Sequence, residues 1–174
     1  LNGKMNSTLH RSYYMSPILH YIMKKLIFAL YKNIIKLFYG SNLSKYDIVR
    51  KTSRYMNEQL HPEFVEIDGN KIYLDENDSL FLSSSILHEK TIVNLVKNEI
   101  KKGDVVIDIG AHIGYYTVLF AKLVGPEGRV FAFEASPTNF EVLKKNVSVN
   151  GYQNVILNNK AVSDKNGKLT LYIT

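Results

Sequence analysis

Val105-Val106-Ile107-Asp108-Ile109-Gly110-Ala111-His112-Ile113-Gly114 is the stretch on which the fold turns. Four of its first five residues are apolar and β-branched, which is how a strand covered on both faces reads. Gly110 ends the run. Ile113 to Val124 is then apolar over a helical length and stops at Gly125-Pro126-Glu127-Gly128. Val130-Phe131-Ala132-Phe133 is a second buried strand. Ser136-Pro137 opens another helix, with Ser as cap and Pro at the first helical position. That helix runs to about Asn150, with Gly151 as its stop. Val155-Ile156-Leu157 is a third strand. Strand, helix, strand, helix and strand at this spacing make two right-handed crossover units and a parallel sheet, an α/β fold.

Upstream, Phe64–Ile67 and Lys71–Leu74 flank Asp68-Gly69-Asn70, a hairpin signal. Asp75–Ser79 reads as a polar loop. A helix is expected from about Glu89 to Ile100, with Gly103 closing it. Downstream, Asn166-Gly167 is a turn and Lys168–Ile173 an alternating fourth strand.

Ligands of such sheets bind outside the carboxyl ends of the strands. Asp108 to Gly114 forms the first of these ends. Glu134, followed by Ala135 and Ser136, forms the second. Asn158-Asn159-Lys160-Ala161 forms the third. A dinucleotide site needs G-x-G-x-x-G so that backbone amides can cradle a pyrophosphate. Here an aspartate stands where the first of those glycines would be. A carboxylate repels a pyrophosphate and attracts an ammonium. S-adenosyl-L-methionine offers an α-amino group, a sulfonium and a carboxylate, and no phosphate. Gly110 and Gly114 are expected to let the backbone approach the ligand. Amides at the next helix start could receive the methionine carboxylate. Glu134 has two acceptor oxygens suited to ribose hydroxyls. His112 could titrate near neutrality, but the reading here makes it a loop residue lining the cofactor site, with no evident orienting partner. Tyr115 and Tyr116 are read as packing and pocket wall. The remaining histidines have no metal-ligand spacing.

The chain has 174 residues, 45% of them hydrophobic and 22% charged, which is ordinary globular usage. Absence of cysteine excludes a disulfide framework, a zinc–thiolate centre and a thiol nucleophile. The net charge of +6 is uneven: residues 1–60 carry ten Lys and Arg against Asp47 and Glu58. Residues 61–174 carry 12 against 14, so no nucleic-acid partner is expected of them. Residues 18–39 form a basic amphipathic helix, with Lys24, Lys25, Lys32 and Lys36 set into apolar sequence. It is too interrupted by charge to span a bilayer and lacks a signal-peptide cleavage site. It reads either as a helix packed on its own domain or as a peripheral contact with anionic lipid. Residues 41–60 are expected to be a short helix and a linker. The organisation expected is a basic helical extension over 1–60 and a partial catalytic domain over 61–174, in a cytoplasmic protein with membrane association as the alternative. Leu1 and the strand-like end at Leu169–Thr174 read as a chain cut at its C-terminus.

The stretches KKGDVVIDIGAHIGYYTVLFAKLVGPEGRVFAFEASPTNFEVLKKNVSVNG and NNKAVSDKNGKLTLYI, with the hairpin and ILHEKTIVNLVKN, resemble FkbM-type S-adenosylmethionine-dependent methyltransferases over residues 64–174. The resemblance implies the N-terminal half of a Rossmann-like class I methyltransferase sheet, strands 3-2-1, preceded by a helical segment and a β-hairpin. It assigns Asp108, Gly110, Ala111, His112 and Gly114 to the methionine loop, Glu134 to the ribose, and Asn159 to Ala161 to the adenine side. It adds Glu89 as an acidic contact, with Ala135 and Ser136 beside the ribose acid. Two positions depart from the family pattern, which usually has Asn at 112 and Pro at 135. The activity implied is O-methyl transfer to a hydroxyl of a glycan or small metabolite. The alternatives are an inactive cofactor-binding fragment and an NAD-type oxidoreductase, which Asp108 argues against.

Overall fold

The computed structural model describes residues 16–38, 51, 55–56, 59–80, 82–84, 90–168 and 170–171. Helix α1 spans Pro17–Phe38. Strands β1 (Phe64–Ile67) and β2 (Asn70–Tyr73) form an antiparallel hairpin. Helix α2 is Lys90–Glu99, and β3 (Val105–Ile109), α3 (Tyr115–Val124), β4 (Arg129–Phe133), α4 (Pro137–Val149) and β5 (Val155–Asn158) follow. The expected short helix and linker over 41–60 fall largely outside the described residues, as does Glu89.

The local signals act as their chemistry requires. Asp68 and Gly69 both have positive φ, 51° and 75°, as a two-residue hairpin turn demands. Asn70 therefore belongs to β2, paired with Ile67, and not to the turn. Ser136 caps α4, its side chain accepting from the Asn139 amide at 3.4 Å, and Pro137 takes the first helical position.

The three-stranded sheet is parallel in the order β3-β4-β5, so β4 is central. This is the α/β half-sheet expected. Val130 and Ala132 of β4 are fully buried, Ala132 in a core with Val118, Leu143 and Val147 and Val130 in a second cluster with Ala121 and Val124 of α3. Ile72 of the hairpin and Val93 of α2 close the same core.

Two expectations need correction. The sheet is covered on one face only: Val105, Ile107 and Ile109 alternate outward at 65%, 62% and 64% exposure. Every described helix packed against the sheet lies on the Val130–Ala132 side, so a β-branched run that suits burial on both faces is buried on one. The fourth strand also fails to form where it is described. Lys168, Thr170 and Leu171 are irregular, while Leu169 and residues 172–174 lie outside the described residues. A strand needs a neighbour's backbone to pair with, and none of the described strands pairs with this segment.

A separate device fixes the hairpin. Asn146, fully buried on α4, donates to the Tyr73 and Ile113 carbonyls at 2.9 and 2.8 Å and accepts the Tyr73 amide at 2.7 Å. One helical turn on, Asn150 makes the same exchange with Lys71, at 2.8 Å each way. Two side-chain amides thus stand in for a missing strand along the outer edge of β2.

Candidate cofactor site

The site is built at the carboxyl ends of β3 and β4. Alternation along β3 turns Asp108 toward the helical face, where Thr117 in the first turn of α3 donates its hydroxyl to Oδ2. Burial pushes the Asp108 carboxyl up from its ordinary value of 3.8; the Thr117 hydrogen bond pulls it down, and the nearby charge of Glu134 pushes it up again. Glu134 is itself buried, at 8% exposure. Its Oε2 accepts the His112 amide at 2.8 Å and its Oε1 accepts the Ser136 amide at 2.7 Å. Each oxygen has lone-pair capacity left for a ligand hydroxyl.

The loop between β3 and α3 is hinged on left-handed residues. Gly110, His112 and Gly114 have φ of 78°, 52° and 89°. The amides of Gly110 and Ala111 both donate to the Phe133 carbonyl at 2.9 Å, which ties the loop to the end of β4. The two glycines do different work. A side chain at Gly110 would meet nothing within 4 Å, so that position borders open space. A side chain at Gly114 would collide with Leu143 of α4. Gly114 therefore permits two helices to approach closely.

His112 has orienting partners that the sequence reading missed. Its Nε2 lies 3.3 Å from Ser79 Oγ and 3.9 Å from Asp75 Oδ2. Asp75 in turn accepts the Ser79 amide at 2.8 Å and the Ser79 hydroxyl. The loop taken as merely polar is thus bonded to the glycine-rich loop. The ring's Nδ1 is buried and has no hydrogen-bond partner among the described residues. Asp78, also missed, is fully buried and accepts the Leu82 and Ser83 amides at 2.9 and 3.0 Å, which folds the turn behind this loop. An acid followed four and five residues on by Leu-Ser is the only trace of this in the sequence, and it is not distinctive.

At the third strand end, Asn159 donates through Nδ2 to the Glu134 carbonyl at 2.8 Å and to the Ala135 carbonyl at 3.3 Å. It steadies the loop after β4, and Ala161 beside it is exposed. His112, Glu134, Ala135, Ser136 and Asn159 are thus joined by hydrogen bonds, Gly110 and Ala111 are tied to Phe133, and Asp108 is held by Thr117, all at neighbouring strand ends. Tyr115 is buried in the core, its ring edge-on to Tyr116 at 5.0 Å.

This geometry fits a cationic amino-acid nucleoside. Two carboxylates at adjacent strand ends disfavour each other's charge, and a ligand ammonium relieves that, whereas a phosphate would worsen it. The TRM5/TYW2 methyltransferase domain matches residues 64–168, more than half of the chain. The chain belongs to that family. The expected cofactor, S-adenosylmethionine, agrees with membership of a methyltransferase family.

Curated relatives are similar over shorter stretches. A protein-L-isoaspartate O-methyltransferase of Ignicoccus hospitalis is 39% identical over 57 residues, covering 33% of this chain and 27% of the relative. The tRNA(Phe) (4-demethylwyosine(37)-C(7)) aminocarboxypropyltransferase of Methanocaldococcus jannaschii is 35% identical over 99 residues, 57% of this chain and 36% of the relative. The 31-O-demethyl-FK506 methyltransferase FkbM of Streptomyces tacrolimicus is 48% identical, but over 48 residues, 28% of this chain and 18% of the relative. Among solved structures, M. jannaschii TYW2 in complex with AdoMet aligns with a TM-score of 0.43 at 26% identity, covering 55% of this chain and 41% of that one. The chain spans about a quarter of the length of the isoaspartate methyltransferase it matches. The domain family shown is thus TRM5/TYW2, with FkbM a short local likeness. The exclusion of nucleic acid also falls, because a relative in this set is named for a tRNA substrate.

Proposed function

We propose that this chain holds S-adenosylmethionine across the ends of β3, β4 and β5, and is the donor-binding part of an enzyme that methylates a hydroxyl of a glycan or small metabolite. The observation that carries the cofactor assignment is the Asp108–Glu134 pair: a half-buried carboxyl pushed up in pKa beside a buried acid. Asp108 would face the ligand's positive charge, the 110–114 loop its methionine part, Glu134 its ribose, and Asn159 to Ala161 its adenine side. When bound, the cofactor supplies an electrophilic methyl group. The chain's own part is orientation: the Phe133 carbonyl and the Glu134 carboxylate pin the loop. A short likeness to a relative named for a 31-O-demethyl substrate supports a hydroxyl acceptor.

A second reading takes tRNA as the acceptor. Family membership and the likeness to the M. jannaschii enzyme favour it. That enzyme's name also specifies transfer of an aminocarboxypropyl group, so donor labelled separately at the methyl and carboxyl carbons would report which group leaves.

Calorimetry with S-adenosylhomocysteine tests the cofactor. Saturable binding is expected, and none at millimolar ligand rejects the assignment. A fluorescence titration with NADH should show no binding. Label from the methyl carbon appearing on tRNA, and not on sugar or small-molecule hydroxyls, would replace the first acceptor with the second.

A further inference from the structure

We propose that the turn over residues 75–79 anchors the glycine-rich loop, and that Ser79 and His112 are positioning residues that hold the Glu134 carboxylate ready for a ribose, an assignment that rests on Glu134 being the ribose acid proposed above. The turn holds its own shape. Asp75 Oδ1 accepts the Asn77 and Ser79 amides at 3.3 and 2.8 Å, and the Asp75 carbonyl accepts the Asp78 amide at 3.1 Å. His61 Nε2 donates to the Glu76 carbonyl at 2.8 Å, which ties the turn to the chain before β1. Buried Asp78 fixes the chain that follows, through the Leu82 and Ser83 amides. None of these bonds involves His112. The glycine-rich loop is the dependent side of the contact, because His112 has a φ of 52°, a left-handed conformation uncommon outside glycine.

The protons give this contact a direction. The Ser79 hydroxyl has one proton, and Asp75 Oδ2 accepts it. The Ser79 oxygen, 3.3 Å from His112 Nε2, is left to accept from the ring. A neutral ring therefore carries its proton on Nε2, with Nδ1 a bare acceptor, buried and without a hydrogen-bond partner among the described residues. Ser79 and Asp75 thus grip the ring at one end only. The amide of the same residue donates to Glu134 Oε2 at 2.8 Å, while the Ser136 amide holds Oε1 at 2.7 Å. Side chain and backbone of His112 together link the turn to one oxygen of Glu134. Release of the ring frees the left-handed backbone, and Oε2 loses the donor that directs it.

The test combines calorimetry with S-adenosylhomocysteine and hydrogen exchange at the His112 amide, both on the whole chain. Ser79 is exposed, so Ser79→Ala should leave the melting temperature unchanged. His112→Gly keeps the left-handed backbone without strain and removes only the ring. Each variant should weaken the ligand about fivefold. The double variant should bind no more weakly than either alone, because both break one link. Ser79→Thr keeps the hydroxyl and should bind as the parent does. Exchange at the His112 amide, a readout that needs no ligand, should quicken about fivefold in Ser79→Ala. The two possible failures are distinct. No binding by the parent removes the cofactor reading, and this assignment with it. Binding by the parent that Ser79→Ala and His112→Gly leave intact, losses that add in the double variant, no rescue by Ser79→Thr, or unchanged exchange overturns the anchor alone.

Discussion

Asp108 carries opposing demands, and they can be separated by measurement. Its folded-state pKa lies above 3.8, so the folded chain holds the proton to higher pH than the unfolded chain does. The stability that ionisation costs is absent below 3.8 and grows as pH rises through the raised folded value. Asp108→Asn removes that cost. It should leave the melting temperature at neutral pH unchanged or higher, while weakening S-adenosylhomocysteine at least tenfold, about 1.4 kcal/mol, by calorimetry. The ligand's ammonium favours the ionised acid, so affinity in the parent should fall as pH drops through the raised value. In that range binding should release a proton, seen as a dependence of the measured heat on buffer. The placement of Asp108 and Glu134 at neighbouring strand ends was legible in the sequence because strand ends are local facts. The link from His112 to Asp75 and Ser79 was not, since it joins residues more than thirty positions apart in the chain.

At the scale of elements, Gly114 has a packing reason that its motif does not disclose. The pattern after β3 announces a turn, but only the placement of α4 shows that Leu143 occupies the space a side chain would need. Gly114→Ala combines that collision with a φ of 89°, and should cost about 1–3 kcal/mol in chemical denaturation. Leu143→Ala in the same chain should relieve the collision and leave the backbone strain. The strands β3 to β5, the helices between them and the hairpin were all legible, because β-branched runs, a Ser-Pro cap and an Asp-Gly turn act within a few residues. The outward exposure of Val105, Ile107 and Ile109 follows from the half-sheet, which leaves apolar faces partly uncovered, and not from the run itself, which does not say which face finds cover.

For the whole molecule, that bare sheet face governs behaviour in solution. Val105, Ile107 and Ile109 expose apolar surface on a strand whose outer edge has no described partner. Contiguous surface of this kind promotes association. The 174-residue chain should self-associate with rising concentration in light scattering, and Ile107→Lys should reduce that without lowering the melting temperature. The paired asparagines of α4 have a kinetic counterpart. Lys71 and Tyr73 sit on the rim of a two-stranded ribbon, where amide protons ordinarily trade with solvent within seconds. Held by Asn150 and Asn146, they should exchange deuterium as slowly as Ile72 between them, and Asn146→Ala should release Tyr73 first. Retention of the ribbon is thereby tied to the persistence of a helix more than seventy residues further along the chain.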